Sequence, residues 1–360
     1  MPAAAVAEAV AADSGESWDG IDELLHASTR RRKMAIRKFH IKGPSLPGLS
    51  LVMIFAAVVL FASSLAGAVQ GKARQKAFPS AEEAVNAMVT ALKNNDGTEL
   101  SLILGPQSES LISSGDETSD RAGRERFLKT FEEMNKLEQE SPGKMILHIG
   151  NGDYPFPIPI VKTGEQWLFD TKAGKEEILN RRIGKNELSV IEVLHAYVDA
   201  QYEYASNDRN GDGVVEFAQK FASTKGRRDG LYWEVKEGEE ESPFGPLVAR
   251  AAQEGYAAKG KSGKPISYHG YFYRILKAQG KNAPGGQYDY VVKGKMILGF
   301  ALVAYPAQYG ASGIMTFMIN QEGVIYEKDF GKDSAKIAAA LKRYDPDTTW
   351  KRVEETTGKP

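Results

Sequence analysis

The sequence predicts an α+β protein of two domains behind a single N-terminal apolar helix, and three observations predict it. Leu49 to Val69 is a run of 21 residues without a charge. Each half of the chain beyond it opens on helical apolar spacing and continues into short strand-like runs, an order that favours antiparallel sheets over alternating βα units. Between the halves, Leu188 to Glu216 reads as a long amphipathic helix running into an acidic, glycine-bearing loop.

The apolar run is long enough to cross a hydrocarbon core of about 30 Å as a helix. Upstream, Arg30 to Lys42 carries seven Lys/Arg residues, against Lys72, Arg74 and Lys76 just after it. The positive-inside rule then predicts a cytoplasmic N-terminus with residues 72–360 outside. Residues 49–69 are read as either a transmembrane anchor or a signal peptide, since Ala66-Gly67-Ala68 is a cleavage-like A-x-A pattern. Residues 1–48 are long for a leader. A start at Met34 would give an ordinary basic one, leaving the preceding residues as an over-extended start or a cytoplasmic tail.

Composition narrows the classes. A net charge of −1 over 360 residues leaves no basic footprint for nucleic acid. The absence of cysteine excludes disulfides, thiolate catalysis and cysteine-held zinc or iron–sulfur centres.

After a polar tether over 70–79, the first domain spans 80–185. Ser80 is an N-cap with Glu82 and Glu83 in the first turn, and Ala84, Val85, Met88, Val89 and Leu92 form the apolar stripe. The helix stops at Asn94-Asn95-Asp96-Gly97, and Leu100 to Leu104 is a second short helix. Residues 106–124 read as loop, followed by a charged helix from Glu125 to about Gln139. Strands follow at Lys144–Ile149, Pro155–Lys162 and Gln166–Asp170, the alternating prolines marking an edge. Ala173 to Arg182 is a helix that Gly184 interrupts.

The second domain spans 186–345. Its helix presents Leu188, Ile191, His195, Val198, Tyr202 and Ala205 on one face. Short helices are expected at Phe217–Ala222 and Pro246–Glu254. Strands are expected at Gly270–Lys277, Tyr288–Val292 and Met296–Tyr305, and a hairpin joins Ile314–Ile319 to Val324–Lys328. A helix over Ser334–Tyr344 precedes a tail at 346–360.

The acidic loop is the best chemical candidate. Asp208, Asn210, Asp212, Gly213 and Glu216 fall at positions 1, 3, 5, 6 and 9 of a calcium-loop pattern. Calcium takes six to eight oxygens, and the Val214 carbonyl would be the position-7 ligand with Val215 as the apolar anchor. Position 12 is Gln219 in place of a bidentate Glu, so the implied cofactor is a weakly held Ca2+. The competing reading is a plain Asx/Gly turn.

Other chemistry is thin. His195 is read as a core residue, and His148 lies in a strand with no identifiable partner. His269, beside Tyr268, Tyr271, Tyr273 and Arg274, is the most suggestive histidine for binding, although aromatic alternation in a strand usually means packing. Gly310-Ala311-Ser312-Gly313 is no nucleophile elbow, and there is no His-Glu-x-x-His, P-loop or strand-borne Gly-x-Gly-x-x-Gly.

The strings FPSAEEAVNAMVTAL (78–92), FPIPIVKTGEQWLFDTKAGKEEILNRRIGKNEL (156–188), AYVDAQYEYASNDRNGDGVVEFAQKF (196–221), YHGYFYRIL (268–276) and GFALVAYPAQYG (299–310) resemble a bacterial family of exported proteins, domain-of-unknown-function family 2950. That resemblance implies no activity. In element order, residues 78–182 are similar to the nuclear-transport-factor-two-like cone fold, a helix-plus-curved-sheet unit whose pocket would lie around Trp167 and Phe169. The second half, a long helix packed on an antiparallel sheet, resembles the globular head of type IV pilins and pseudopilins. The apolar run lacks the acidic residue of polymerising pilins, and about 120 residues separate it from the head, so a pilus subunit is disfavoured. The expected function is a non-enzymatic binding or scaffolding module in the periplasm, held at or released from the inner membrane. Its alternatives are an enzyme or small-molecule binder using the first domain's pocket, and an accessory of a pilus or secretion system. An interaction module should show an exposed apolar patch, an enzyme a cleft with convergent polar groups.

Overall fold

The computed structural model describes residues 75–236, 238–256 and 267–354. The Leu49–Val69 run, its basic flank, residues 70–74 of the tether and the last six residues of the tail lie outside them. Among the described residues, no helix is long and apolar enough to cross a membrane. The architecture is mixed α+β, with antiparallel sheets and one long helix.

Ser80 caps α1 (Ala81–Lys93), its Oγ accepting the Glu83 N–H at 3.1 Å. Asp96 caps α2 (Gly97–Leu104) in the same way through the Glu99 N–H at 2.9 Å. Residues 106–124 are not the predicted loop, for they hold α3 (Glu109–Ile112) and the opening turns of α4 (Glu117–Glu133). The Ser- and Asp-rich stretch is a helix start: Asp116 Oδ1 accepts the Ser119 N–H at 3.0 Å.

The charged helix therefore ends early, and the predicted helical tail becomes strand β1 (Asn135–Ser141). Its Lys-Leu-Glu-Gln-Glu core favours helix, but pairing with β2 (Lys144–Ile149), from Asn135↔Ile149 to Ser141↔Lys144, overrides that preference. The predicted Pro155–Lys162 edge strand is two pieces. β3 (Tyr154–Pro155) pairs with the end of β2, while β4 (Ile160–Thr163) lies inside the sheet between β2 and β5 (Gln166–Phe169). Pro157 and Pro159 stand in the break, where they remove no ladder hydrogen bond.

α5 (Thr171–Tyr204) is one continuous helix of 34 residues, without the predicted break at Gly184. An interior glycine costs about 1 kcal/mol, and burial of Ile183 and Asn186 beside it offsets that; Asn186 Nδ2 donates to the Ser312 carbonyl at 2.8 Å. The helix thus crosses the 185/186 position unbroken, and a separate apolar cluster lies on each side. One gathers α1, α2, Leu147, Ile149, Ile158, Ile160 and Phe169; the other runs from Val190 to Trp350.

The buried stripe of α5 is Val190, Val193, Leu194, Tyr197, Gln201 and Tyr204. The predicted face is rotated from it: Leu188 and Tyr202 are exposed and His195 is only partly buried. Apolar residues cover a wide arc of this helix, and a buried glutamine breaks the pattern that would have marked its centre. Gln201 is held at the core by Ala218, whose N–H it accepts at 2.8 Å and to whose carbonyl it donates at 2.9 Å.

Past the acidic loop, Phe217–Ala222 forms no helix and is held by an isolated bridge at each end. Phe217 donates to the Met296 carbonyl at 2.8 Å, and Tyr232 to that of Phe221 at 2.8 Å, so neighbouring segments satisfy this backbone. α6 (Gly245–Gln253) follows as expected. β6 (Tyr271–Leu276), β7 (Ala278–Gln279), β8 (Tyr288–Asp289), β9 (Val291–Val292), β10 (Lys295–Met296), β11 (Ala301–Pro306), β12 (Met315–Asn320) and β13 (Tyr326–Asp329) come next in the chain. α7 (Ser334–Ala340) stops short of Tyr344, which pairs in parallel with Gln279 instead, and β14 (Lys351–Arg352) closes the fold. The five-stranded sheet runs β14-β13-β12-β11-β6, every pair antiparallel. β11 is buried nearly end to end because both α5 and α7 pack on it.

Candidate functional site

The acidic loop hangs from the C-terminal end of α5. Arg209 fixes its root: Nε donates to the Tyr204 carbonyl at 3.0 Å, and the guanidinium lies 5.0 Å from the Trp233 ring centre and 2.8 Å from the Glu240 carboxylate. Within the loop, Asp208 accepts the N–H groups of Gly211 at 2.9 Å and Gly213 at 2.6 Å. Asn210 Oδ1 accepts from Asp212 N–H and Asp212 Oδ1 from Val214 N–H, each at 3.1 Å, and Asn210 Nδ2 donates to Glu216 at 2.9 Å. Gly211 and Gly213, at φ of 73° and 85°, give the left-handed conformation these turns require.

The loop's charges follow from this wiring. The Gly213 N–H holds the Asp208 carboxyl below its ordinary range, aided by neighbouring backbone N–H groups. Glu216 is pushed up, chiefly by burial and then by Asp212 and Asp208, against the pull of Lys295. Lys295 forms an ion pair with Asp212.

Asp208, Asn210, Asp212, Val214 and Glu216 are therefore brought together, but mainly as donors and acceptors to one another. Gln219, at the last ligand position, donates instead to the Gly294 carbonyl at 2.7 Å and accepts from Lys277 at 3.0 Å. Among the described residues, no group of three His, Asp or Glu side chains converges as a metal ligand set. Val215, expected as the loop's apolar anchor, is 54% exposed.

That exposure belongs to a larger feature. β9 and β10 form a hairpin across Lys293-Gly294, both at positive φ (49° and 84°), the twist that suits a two-residue turn. The Phe217–Met296 bridge, the Gln219–Gly294 bond and the Lys295–Asp212 pair lay this hairpin beside the acidic loop. Val292, Ile297 and Leu298 on the hairpin, Val214 and Val215 on the loop and Tyr202 at the end of α5 are all exposed. They are six of the eight large exposed apolar residues among those described, so the exposure is concentrated. Tyr202 joins the group through Phe217 and Phe300, whose ring centres lie 6.1 and 5.6 Å from its own. Sequence reasoning missed this grouping because Tyr202 falls on the predicted helical face and Val292, Ile297 and Leu298 in predicted strands, while Val214 and Val215 read as parts of the calcium loop.

The histidines fall elsewhere. His148 finds a partner, its Nδ1 lying 3.3 Å from the Asp153 carboxylate. His269 sits at φ 46°, a left-handed backbone, in the turn between Tyr268 and Tyr271. Its Nε2 is 3.4 Å from Glu254, which also accepts from the Tyr268 hydroxyl at 3.0 Å. Nearby, Asp116 accepts from the Tyr256 hydroxyl at 2.9 Å and the Gly270 N–H at 2.8 Å. Burial pushes the Asp116 carboxyl up, opposed by the Ser119, Gly270 and Tyr256 hydrogen bonds. This polar knot ties residues 115–116 to Tyr256, Ser267 and Gly270.

Two open depressions lie on the described surface. One of about 410 Å3 is lined by Asp333, Leu341 and the α7 residues Lys336, Ile337 and Ala340; one of about 320 Å3 lies along α1, from Lys76 to Glu99. Neither includes Trp167 or Phe169. Phe169 is core, and Trp167 pairs with Phe78 through backbone hydrogen bonds of 2.7 and 2.8 Å.

A family model described as protein of unknown function (DUF2950) matches residues 75–353. No curated protein and no solved structure matches the chain.

Proposed function

The chain belongs to the DUF2950 family, and we propose that it is a non-enzymatic binding or scaffolding module of the bacterial envelope. The observation that carries this reading is that Tyr202, Val214, Val215, Val292, Ile297 and Leu298, six of the eight large exposed apolar residues among those described, stand on the end of α5, the acidic loop and the hairpin beside it. Leaving such residues in water forgoes about 25 cal/mol for each Å2 of apolar surface; a partner that covers them recovers that energy. The apolar run at 49–69 and its basic flank support an inner-membrane anchor or export signal with residues 72–360 in the periplasm. The two separate apolar clusters support two α+β units, a cone-like one over 80–185 and a pilin-head-like one over 186–345.

The test places a photo-crosslinking amino acid at Leu298 of the full chain in the producing cell, with Lys129 on exposed α4 as the control. A discrete adduct at Leu298, absent at Lys129 and lost on Val215→Asp, is the expected result. Equal labelling at both positions would sink the binding face.

A further inference from the structure

We infer that Asn151 is a site of spontaneous covalent modification, losing its side-chain amide to the Gly152 backbone nitrogen, while the folded acidic loop protects the same dipeptide at Asn210-Gly211. These are the two Asn-Gly pairs of the chain. The step needs no reagent beyond water. The Gly152 nitrogen adds to Asn151 Cγ as it gives its proton to solvent, the Cγ–Nδ2 bond breaks, and ammonia leaves a five-membered imide. Water then opens the imide at either carbonyl, giving aspartate or the isomer whose main chain runs through the side-chain carbon. Attack within one tethered dipeptide is intramolecular, and glycine has no Cβ to crowd the approach.

The two pairs differ in how the fold holds them. Asn151 and Gly152 are the exposed middle of the turn Gly150–Asp153. Its ends are fixed: the Gly150 N–H donates to the Met134 carbonyl at 2.9 Å, and the Asp153 N–H to the Gly150 carbonyl at 3.0 Å. Among the described residues, neither the Asn151 amide nor the Gly152 N–H takes a hydrogen-bond partner. A Cβ built on Gly152 would meet nothing within 4 Å, so the ring has room to close. At the acidic loop each reacting group is engaged. Asp208 holds the Gly211 N–H at 2.9 Å, Asn210 Oδ1 accepts the Asp212 N–H at 3.1 Å, and Nδ2 donates to Glu216 at 2.9 Å. Breaking three bonds of ordinary net strength before attack slows it by about tenfold or more.

The products matter locally. Aspartate at 151 sets a second carboxylate beside Asp153, which pairs with Lys136 and His148. The isomer lengthens the main chain within a turn pinned at both ends, loosening the Ile149↔Tyr154 pairing of β2 and β3.

The test holds the purified full chain in mildly alkaline buffer, folded or in urea, and follows both sites by peptide mass mapping. In the folded chain Asn151 is expected to convert about tenfold faster than Asn210 or more, and in urea the two rates should converge. Asp208→Ala should speed Asn210 and leave Asn151 unchanged, whereas Gly152→Ala, at a position with open space, should slow Asn151 alone. Equal rates at the two sites in the folded chain overturn the protective role of the loop. An Asn151 that stays intact when folded, or whose rate ignores Gly152→Ala, overturns the site itself.

Discussion

Asp116 accepts the backbone N–H of Gly270 at 2.8 Å across 154 residues of sequence. The same oxygen accepts the Tyr256 hydroxyl at 2.9 Å, so one buried carboxylate joins the loop before α4 to both ends of the 254–270 region. The left-handed His269 preceding Gly270 aims that N–H at the carboxylate, and its own N–H reaches the Tyr256 oxygen at 3.3 Å.

Removing this carboxylate strands two buried donors. Asp116→Ala is expected to cost about 2–4 kcal/mol, from the desolvation of unpartnered groups, read from urea unfolding of the full chain. Asp116→Asn separates charge from shape. Burial raises the Asp116 pKa in the folded state above the ordinary carboxylate range. The stabilisation linked to that shift is fully present below the unfolded pKa and is lost as pH rises through the folded one. Wild type should therefore lose stability relative to Asp116→Asn as pH climbs from about 4. A gap between the two that widens in favour of wild type over that climb contradicts the assignment.

Gln201 makes a comparable commitment inside the second core. It accepts from Ala218 N–H, donates to Ala218 carbonyl and donates to the Tyr197 hydroxyl at 2.9 Å. Burial pushes the Tyr197 hydroxyl far above its ordinary range, so it stays neutral. Gln201→Leu keeps the volume and strands both Ala218 groups, at an expected cost of about 2–4 kcal/mol. Thermal unfolding indistinguishable from wild type would show that the 217–222 segment has other support.

The elements legible in the sequence are those where local preference and tertiary packing agree. The Ser80 cap with its apolar stripe marks α1, and the alternation across Asn320–Gly323 marks the β12–β13 hairpin. The losses come where packing overrules preference. Lys-Leu-Glu-Gln-Glu becomes strand only because β2 lies beside it, and Phe217–Ala222 is held out of helix by Met296 and Tyr232, partners invisible in a linear reading. Of the candidate site, the acidic loop's turn chemistry was legible, because Asp-x-Asn-x-Asp-Gly bonds to its own backbone. The apolar grouping was not. Tyr202 and Leu298 read as core, and the folded backbone leaves both exposed.

Gly174 offers a test of the join between the first sheet and α5. A Cβ built there would lie 2.2 Å from the Pro157 carbonyl oxygen and 2.7 Å from the Ile158 nitrogen, both backbone atoms. In an open helix Gly→Ala stabilises by about 1 kcal/mol; here overpacking reverses the sign. Gly174→Ala is expected to destabilise by about 1–3 kcal/mol, and a raised Tm would mean that the helix and residues 157–158 separate readily.

Calcium at the acidic loop remains a proposal whose terms the geometry sharpens. A cation must displace Lys295 from Asp212 and take oxygens now bonded to backbone N–H groups, without help from Gln219. Affinity in wild type is therefore expected to be in the millimolar range, as in weak extracellular sites. Lys295→Ala removes the competing ammonium and should strengthen binding. At ten times the dissociation constant, linkage gives about 1.4 kcal/mol of stabilisation, visible as a rise in Tm that EDTA reverses. If neither wild type nor Lys295→Ala shifts at 10-fold higher calcium than about 1 mM, the loop is an Asx turn and nothing more. A shift larger in Lys295→Ala than in wild type is the outcome expected if the ammonium paired with Asp212 competes with the cation.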